Sequence, residues 1–274
     1  MSRLATTFDR LRQTGRKALI PYVTAGDPDL ATTAHILDAL VEGGADVIEL
    51  GVPFSDPMAD GAVIQQAMMR AIEAGTTLTT VLETAAAFRA RHPEIPLVLF
   101  GYLNPLYRMG LSEATAAAAK AGVDGLLVVD LPMESAGDLL TAMKDLDLDL
   151  IGLFTPTTDP ERVARLGERA SGFAYCVSVT GVTGGAVDRG QPLQDRVDTI
   201  QRITGLPTAV GFGVRTPADA ADIAAFADGV VVGSALVDVM AHHAPVEAPG
   251  RAREFLRSLR TAMDGAEVIP LRRR

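Results

Sequence analysis

Apolar residues follow two alternating patterns along the chain. Short runs, almost continuously apolar and often β-branched, are separated by Ala-rich stretches in which apolar positions recur at helical spacing. The runs are Ala18 to Val23, Val47 to Leu50, Leu97 to Phe100, Gly125 to Val129, Leu150 to Phe154, Phe173 to Val177, Thr208 to Phe212 and Gly229 to Val232, eight in all. Unbroken apolarity of this kind is what a parallel strand buried on both faces requires. The stretches between them, such as Leu30 to Val41 and Ser112 to Ala121, read as helices. Asp159-Pro160 and Thr216-Pro217 read as an N-cap residue followed by a proline in the first helical position.

Three of the strands are announced by a recurring phrase: Gly44-Ala45-Asp46-Val47, Gly122-Val123-Asp124-Gly125 and Phe226-Ala227-Asp228-Gly229. A glycine or short turn ends a helix and an aspartate opens the next strand. Repeated βα units without a linker fit two α/β architectures, a closed (β/α)8 TIM barrel and a doubly wound open sheet. Eight strands and the absence of an early GxGxxG favour the barrel. The expectation is therefore one domain over residues 1–274, with extra helices at the N-terminus, after strand two and after strand eight.

Composition narrows this further. A length of 274 residues suits a single barrel of about 250 residues. The hydrophobic content of 48% excludes a disordered chain, and a single cysteine, Cys176, excludes an internal disulfide. The first twenty residues carry Arg3, Asp9, Arg10, Arg12, Arg16 and Lys17 and hold no apolar run of signal-peptide length. No stretch reaches the roughly 18 uncharged apolar residues of a membrane helix. These features lead us to expect a soluble, cytoplasmic protein. A net charge of -9 argues against nucleic acid as partner, and Arg272-Arg273-Arg274 reads as a solvated tail.

In such a barrel chemistry sits at the carboxyl ends of the strands. Glu49 stands there between Ile48 and Leu50, where an ionised carboxylate is expensive to bury. Desolvation would raise its pKa towards neutrality, which suits a general acid/base; the plainer alternative is a buried glutamate satisfied by a neighbouring donor. Asp60 follows on a loop shaped by Pro53, Pro57, Gly51 and Gly61. It is either a second carboxylate turned back over the barrel mouth or a helix cap. Glycines then cluster after three successive late strands, in Ser178 to Gly185, in Gly211-Phe212-Gly213-Val214 and in Gly233-Ser234-Ala235. Backbone N–H groups and a helix N-terminus at such strand ends suit a phosphate. The three lysines, Lys17, Lys120 and Lys144, fall at no strand C-terminus, so a Schiff base is not expected. The four histidines, His35, His92, His242 and His243, show no metal-ligand spacing, so no metal is expected. What remains is acid/base chemistry on a phosphorylated small molecule, and the substrate skeleton does not follow from the residues alone.

The stretch Glu49 to Gly61, followed by Ile64-Gln65, closely resembles the signature of the tryptophan synthase alpha subunit family. The resemblance runs along nearly the whole chain, through Tyr22 to Pro28, Gly101-Tyr102-Leu103-Asn104-Pro105, Val129-Asp130-Leu131-Pro132, Gly181-Val182-Thr183-Gly184, Gly211-Phe212-Gly213 and Gly233-Ser234. It implies a carbon–carbon lyase that cleaves indole-3-glycerol phosphate to indole and glyceraldehyde 3-phosphate in tryptophan biosynthesis. It implies Glu49 and Asp60 as the catalytic carboxylates, and Tyr22, Phe100, Leu127, Val129, Leu153, Tyr175, Thr183 and Phe212 around the substrate. The phosphate is implied to meet Gly184, Gly213, Gly233 and Ser234, and the loop from Ser178 to Arg189 to act as a lid whose Thr183 bonds Asp60. The family further implies a beta subunit in an alpha2beta2 heterotetramer, which receives the indole and alone carries pyridoxal phosphate; Asp56 on the Pro53–Asp60 loop would face it. This chain departs from many members in having Tyr22 instead of Phe and Val179 instead of Arg. Competing readings are another phosphate-binding barrel isomerase or epimerase, a stand-alone lyase that releases free indole, and a silent partner; retention of both carboxylates argues against the last.

Overall fold

Each apolar run becomes a parallel strand in the computed structural model, which describes residues 2–178, 191–211 and 213–265. The strands are β1 (Ala18–Thr24), β2 (Ile48–Gly51), β3 (Leu97–Gly101), β4 (Gly125–Val128), β5 (Asp149–Leu150), β6 (Gly152–Phe154), β7 (Ala174–Val177), β8 (Thr208–Gly211) and β9 (Gly229–Val232). Their order in the sheet is β5-β4-β3-β2-β1-β9-β8-β7-β6. The expected strand Leu150 to Phe154 is thus two pieces that part at Ile151. β5 pairs with β4 and β6 pairs with β7, so the change of partner within this one strand closes the barrel. The break has a local cause. Leu150 donates its N–H to Ser171 Oγ at 3.0 Å and accepts from the Ser171 N–H at 2.9 Å. The loop before β7 takes the bonds that a ladder partner would otherwise make.

The helices are α1 (Arg3–Gln13), α2 (Leu30–Glu42), α3 (Ala62–Glu73), α4 (Leu78–Arg91), α5 (Leu103–Met109), α6 (Leu111–Lys120), α7 (Gly137–Met143), α8 (Pro160–Gly167), α9 (Gln191–Thr204), α10 (Pro217–Ala224), α11 (Ser234–Ala241) and α12 (Ala248–Asp264). Extra helices occur where expected: α1 before β1, a pair after β2 and a pair after β9. The expected helix Ser112 to Ala121 forms as α6, but a further short helix, α5, stands between β3 and α6 and was not expected. Pro105 reads as a turn residue, but it sits in the first turn of α5, where a missing N–H is harmless. The first N–H of that helix, from Leu103, is taken by Asp130 Oδ1 at 2.8 Å.

The aspartates of the recurring phrase tie the barrel's lower end together. Each side chain accepts the backbone N–H that opens a neighbouring strand: Asp46 from Leu19 at 3.0 Å, Asp124 from Leu97 at 2.8 Å and Asp228 from Thr208 at 2.9 Å. Cations complete the set. Arg3 and Arg89 each reach Asp124 at 2.6 Å, and Arg260 of α12 reaches Asp46 at 3.2 Å. Helix α1 seals this end with Leu4, Phe8 and Leu11, the Phe8 ring lying 5.6 Å from that of Phe173. The lower end is closed by apolar packing and paired charge, which leaves the opposite end for chemistry.

Candidate active site

At the carboxyl ends of the strands a cleft of about 570 Å³, counted with its open mouth, is lined from several strands at once. Tyr22, Glu49, Phe100 and Tyr175 come from the strands, Asp60 and Ile64 from the segment after β2, Gly213, Val214 and Arg215 from the turn after β8, and Val231, Gly233, Ser234 and Ala235 from β9 and the start of α11. Strand register explains the grouping. Tyr22 is paired with Glu49, and Gly51 with both Thr24 and Phe100. Partners in a parallel ladder, and residues two apart along a strand, share a face.

Glu49 is 1% exposed, and neither of its Oε atoms has a hydrogen-bond partner. Burial pushes its pKa up from 4.5 to about 8. Asp60, 2% exposed, is held firmly instead. The Tyr102 hydroxyl donates to Asp60 Oδ2 at 2.6 Å and accepts from the Ala59 N–H at 3.0 Å. Gln65 Nε2 donates to the Asp60 carbonyl at 2.8 Å. Burial raises the Asp60 pKa to about 6, the Tyr102 hydrogen bond restraining the rise. At pH 7 the pair is therefore one neutral acid and one carboxylate, pushed apart by their surroundings.

The Tyr22 ring meets Phe100 edge-on at 5.1 Å and 74°, and its hydroxyl is 3.1 Å from Thr24 Oγ1. That hydroxyl occupies the space a Cβ would need at position 51, which is why β2 ends in glycine. At the other end of the cleft Gly213 holds φ at +91°, a conformation other residues rarely adopt. Helix α11 starts at Ser234, after Gly233, without a side-chain cap on its N-terminus. Its leading N–H groups and positive dipole end stand where Gly233, Ser234 and Ala235 line the cleft.

Of the residues expected around a substrate, Tyr22, Glu49, Asp60, Phe100, Tyr175, Gly213, Gly233 and Ser234 are brought together in this cleft. Leu127 is buried in β4 and does not line it, and Val129 and Leu153 line a separate cavity beside Leu131 and Arg162. Thr183, Gly184 and Phe212 lie outside the described residues, as does the expected lid beyond Ser178. Asp56 is exposed on the loop after β2, accepting from Ser55 Oγ at 2.6 Å. Tyr102 and Arg215 were missed as site residues. A tyrosine directly after a strand was the available signal for the first, whereas Arg215 reads as an ordinary turn residue. Among the described residues no group of three or more His, Cys, Asp or Glu side chains could hold a metal ion.

Comparison with known proteins bears on this geometry. The profile of the tryptophan synthase alpha chain family matches residues 8–264. The tryptophan synthase alpha chain of Burkholderia thailandensis is 49% identical over 266 residues, spanning 97% of this chain and 98% of that one. That of Rhizorhabdus wittichii is 52% identical over 263 residues, spanning 96% and 97%. The crystal structure of tryptophan synthase subunit alpha from Legionella pneumophila superposes with a TM-score of 0.88 at 39% identity, over 96% of this chain and 99% of that one. A structure of Mycobacterium tuberculosis tryptophan synthase gives a TM-score of 0.87 at 37% identity, over 96% and 98%.

Proposed function

The chain belongs to the tryptophan synthase alpha chain family, and from that premise we propose how its residues perform the family's reaction. The reaction is the cleavage of indole-3-glycerol phosphate to indole and glyceraldehyde 3-phosphate, which makes the chain a carbon–carbon lyase of tryptophan biosynthesis. Glu49, neutral at pH 7 because of its burial, donates a proton to C3 of the indole ring. The ring nitrogen becomes cationic, and ionised Asp60 accepts its N–H through Oδ1, Oδ2 being engaged by Tyr102. The Glu49 carboxylate then takes the proton from the hydroxyl on the carbon attached to C3. That carbon becomes the aldehyde, the C3–C bond breaks, and its electron pair flows back to the ring nitrogen. Indole leaves neutral and Glu49 is again protonated. The protonated ring is itself the electron sink, so this chemistry asks no cofactor or metal of the chain. The phosphate sits at the far end of the cleft, on the backbone of Gly213 and Gly233 and on Ser234. Gly184 and Thr183 belong to the same reading.

The family implies a beta-subunit partner. We place its docking site on the rim carrying Asp56, where Met58 is 81% exposed and Tyr107 of α5 is 69% exposed. Large apolar side chains left exposed beside an active site are what a partner would cover. An alpha2beta2 assembly in the cytoplasm, with pyridoxal phosphate in the beta subunit and indole passed to it directly, completes the proposal. Among the described residues no helix is long and apolar enough to cross a membrane.

One observation carries the chemistry: an unpartnered, fully buried carboxylate and a second carboxylate held by a tyrosine face one cleft. The test is indole release from indole-3-glycerol phosphate, with and without a beta subunit. Glu49→Gln is expected to lower kcat by about 10² to 10⁴-fold with the fold intact. Near-parental turnover in that variant would remove Glu49 from the reaction.

A further inference from the structure

We infer that Arg215 is a phosphate-binding side chain of this cleft, supplying the positive charge at the end where Gly213, Gly233 and Ser234 meet. The inference rests on the proposed placement of the phosphate and adds the residue that sets its affinity. Arg215 is the one cationic residue lining the cleft among its described residues. The opposite end holds Glu49 and Asp60, and the unpartnered, 1% exposed Glu49 marks the cleft as a place built for a ligand. The lining is therefore polarised, with acids at one end and a cation at the other. Charge favours a molecule with an apolar ring and an anionic tail lying with its tail towards Arg215.

Backbone donors alone leave the charge short. A helix N-terminus offers roughly half an elementary charge, whereas a phosphate monoester carries close to two near neutral pH. A guanidinium adds a full charge and a fork of N–H groups matched to phosphate oxygens. The backbone beneath Arg215 is fixed for this purpose. The buried Asp219 carboxylate accepts the N–H of Arg215 at 2.9 Å and that of Thr216 at 3.0 Å. Thr216 Oγ1 accepts the Asp219 N–H at 3.2 Å, closing a capping box at the start of α10 with Pro217 as its first residue. Buried Val214 anchors the other side of the turn. Arg215 is an exposed residue that lines the cleft.

The experiment compares the parent chain with Arg215→Ala and Arg215→Lys. Four quantities are read: KM and kcat for indole-3-glycerol phosphate, and the calorimetric Kd of glycerol 3-phosphate and of indole. For Arg215→Ala we expect about tenfold weaker glycerol 3-phosphate binding and a similar rise in KM, the usual effect of losing a charge-assisted hydrogen bond. The loss falls on KM rather than kcat, and indole binding does not follow it. Lysine restores part of the loss, because it keeps the charge but not the fork. Added salt weakens the parent more than the alanine variant. If the parent cleaves substrate and binds glycerol 3-phosphate while Arg215→Ala matches it within about twofold, the inference fails alone. A fall in kcat together with weaker indole binding, with glycerol 3-phosphate unaffected, would also overturn it, since that pattern belongs to a structural turn residue. If the parent neither cleaves indole-3-glycerol phosphate nor binds glycerol 3-phosphate, the proposed function fails first and this inference with it.

Discussion

The proposed role of Glu49 comes with a stability penalty that can be measured. Its pKa in the folded chain is raised by burial from 4.5 to about 8, so the folded state holds a proton that the unfolded state releases. The sign follows directly. Glu49 leaves stability intact below its ordinary pKa, and stability is lost as pH rises through the window from 4.5 to about 8. Glu49→Gln removes the ionisation but keeps the shape. It is expected to match the parent in urea unfolding at pH 5 and to exceed it by the order of a few kcal/mol above pH 8. A constant difference across that range would mean that the carboxyl finds a partner. Tyr102→Phe tests the other carboxylate. Losing the 2.6 Å hydrogen bond to Oδ2 should raise the Asp60 pKa further and move the acid limb of the pH–rate profile upwards. An acid limb that stays in place would show that Tyr102 does not tune Asp60. Glu49 was legible in the sequence because a charge inside an apolar strand is conspicuous. Tyr102 was not, because its partner is 42 residues away and only folding brings them together. Arg215 was hidden for a related reason: a charged residue before Thr-Pro looks solvated until the cleft is seen beside it.

Among the elements, the phrase that opens three strands proves to be a clamp. Its aspartates bind the starts of neighbouring strands, and Asp46 and Asp124 also pair with arginines carried by helices. Arg260 of α12 shows the strength of this arrangement. It is 7% exposed, pairs with the equally hidden Asp46 and donates to the Lys17 carbonyl at 2.9 Å. Burial still pushes the Asp46 pKa upwards against the Leu19 hydrogen bond and the Arg260 charge, so the carboxylate depends on both partners. Arg260→Ala would strand it, and we expect a loss of about 3 kcal/mol, the usual result of halving a buried ion pair. Denaturant unfolding at pH 7 checks this, and a change below about 0.5 kcal/mol would contradict the clamp. The strands were readable from unbroken apolarity, and the caps at Asp159 and Thr216 from their residue types; both caps form as read. The break at Ile151 could not be read. It depends on Ser171 drawing the bonds of Leu150, a contact across 21 residues that carries no local pattern. Helix α5 after β3 was likewise masked by a proline that suits a turn as well as a first helical turn.

For the whole molecule, closure of one end and exposure of the other set the direction of its work. The sealed lower end carries charge pairs and the α1 plug, and the upper end carries the cleft and an apolar rim. Met58→Asp or Tyr107→Asp should leave the isolated chain folded, because both side chains are exposed. Each should weaken a beta subunit's activation of the lyase reaction by roughly tenfold in affinity, the scale of an interface anchor. Titration of the variant with beta subunit reads this, and unchanged half-saturation would move the docking site elsewhere. The central claim is that a neutral Glu49 and an ionised Asp60 act together in this cleft. Its most direct test is kcat/KM for indole-3-glycerol phosphate cleavage by the isolated chain, followed from acid to alkaline pH. The account predicts a bell with an acid limb near pH 6, where Asp60 gains its proton, and an alkaline limb near pH 8, where Glu49 loses its own. A rate that stays level through pH 8 and beyond would contradict it, because an ionised Glu49 has no proton to give to C3.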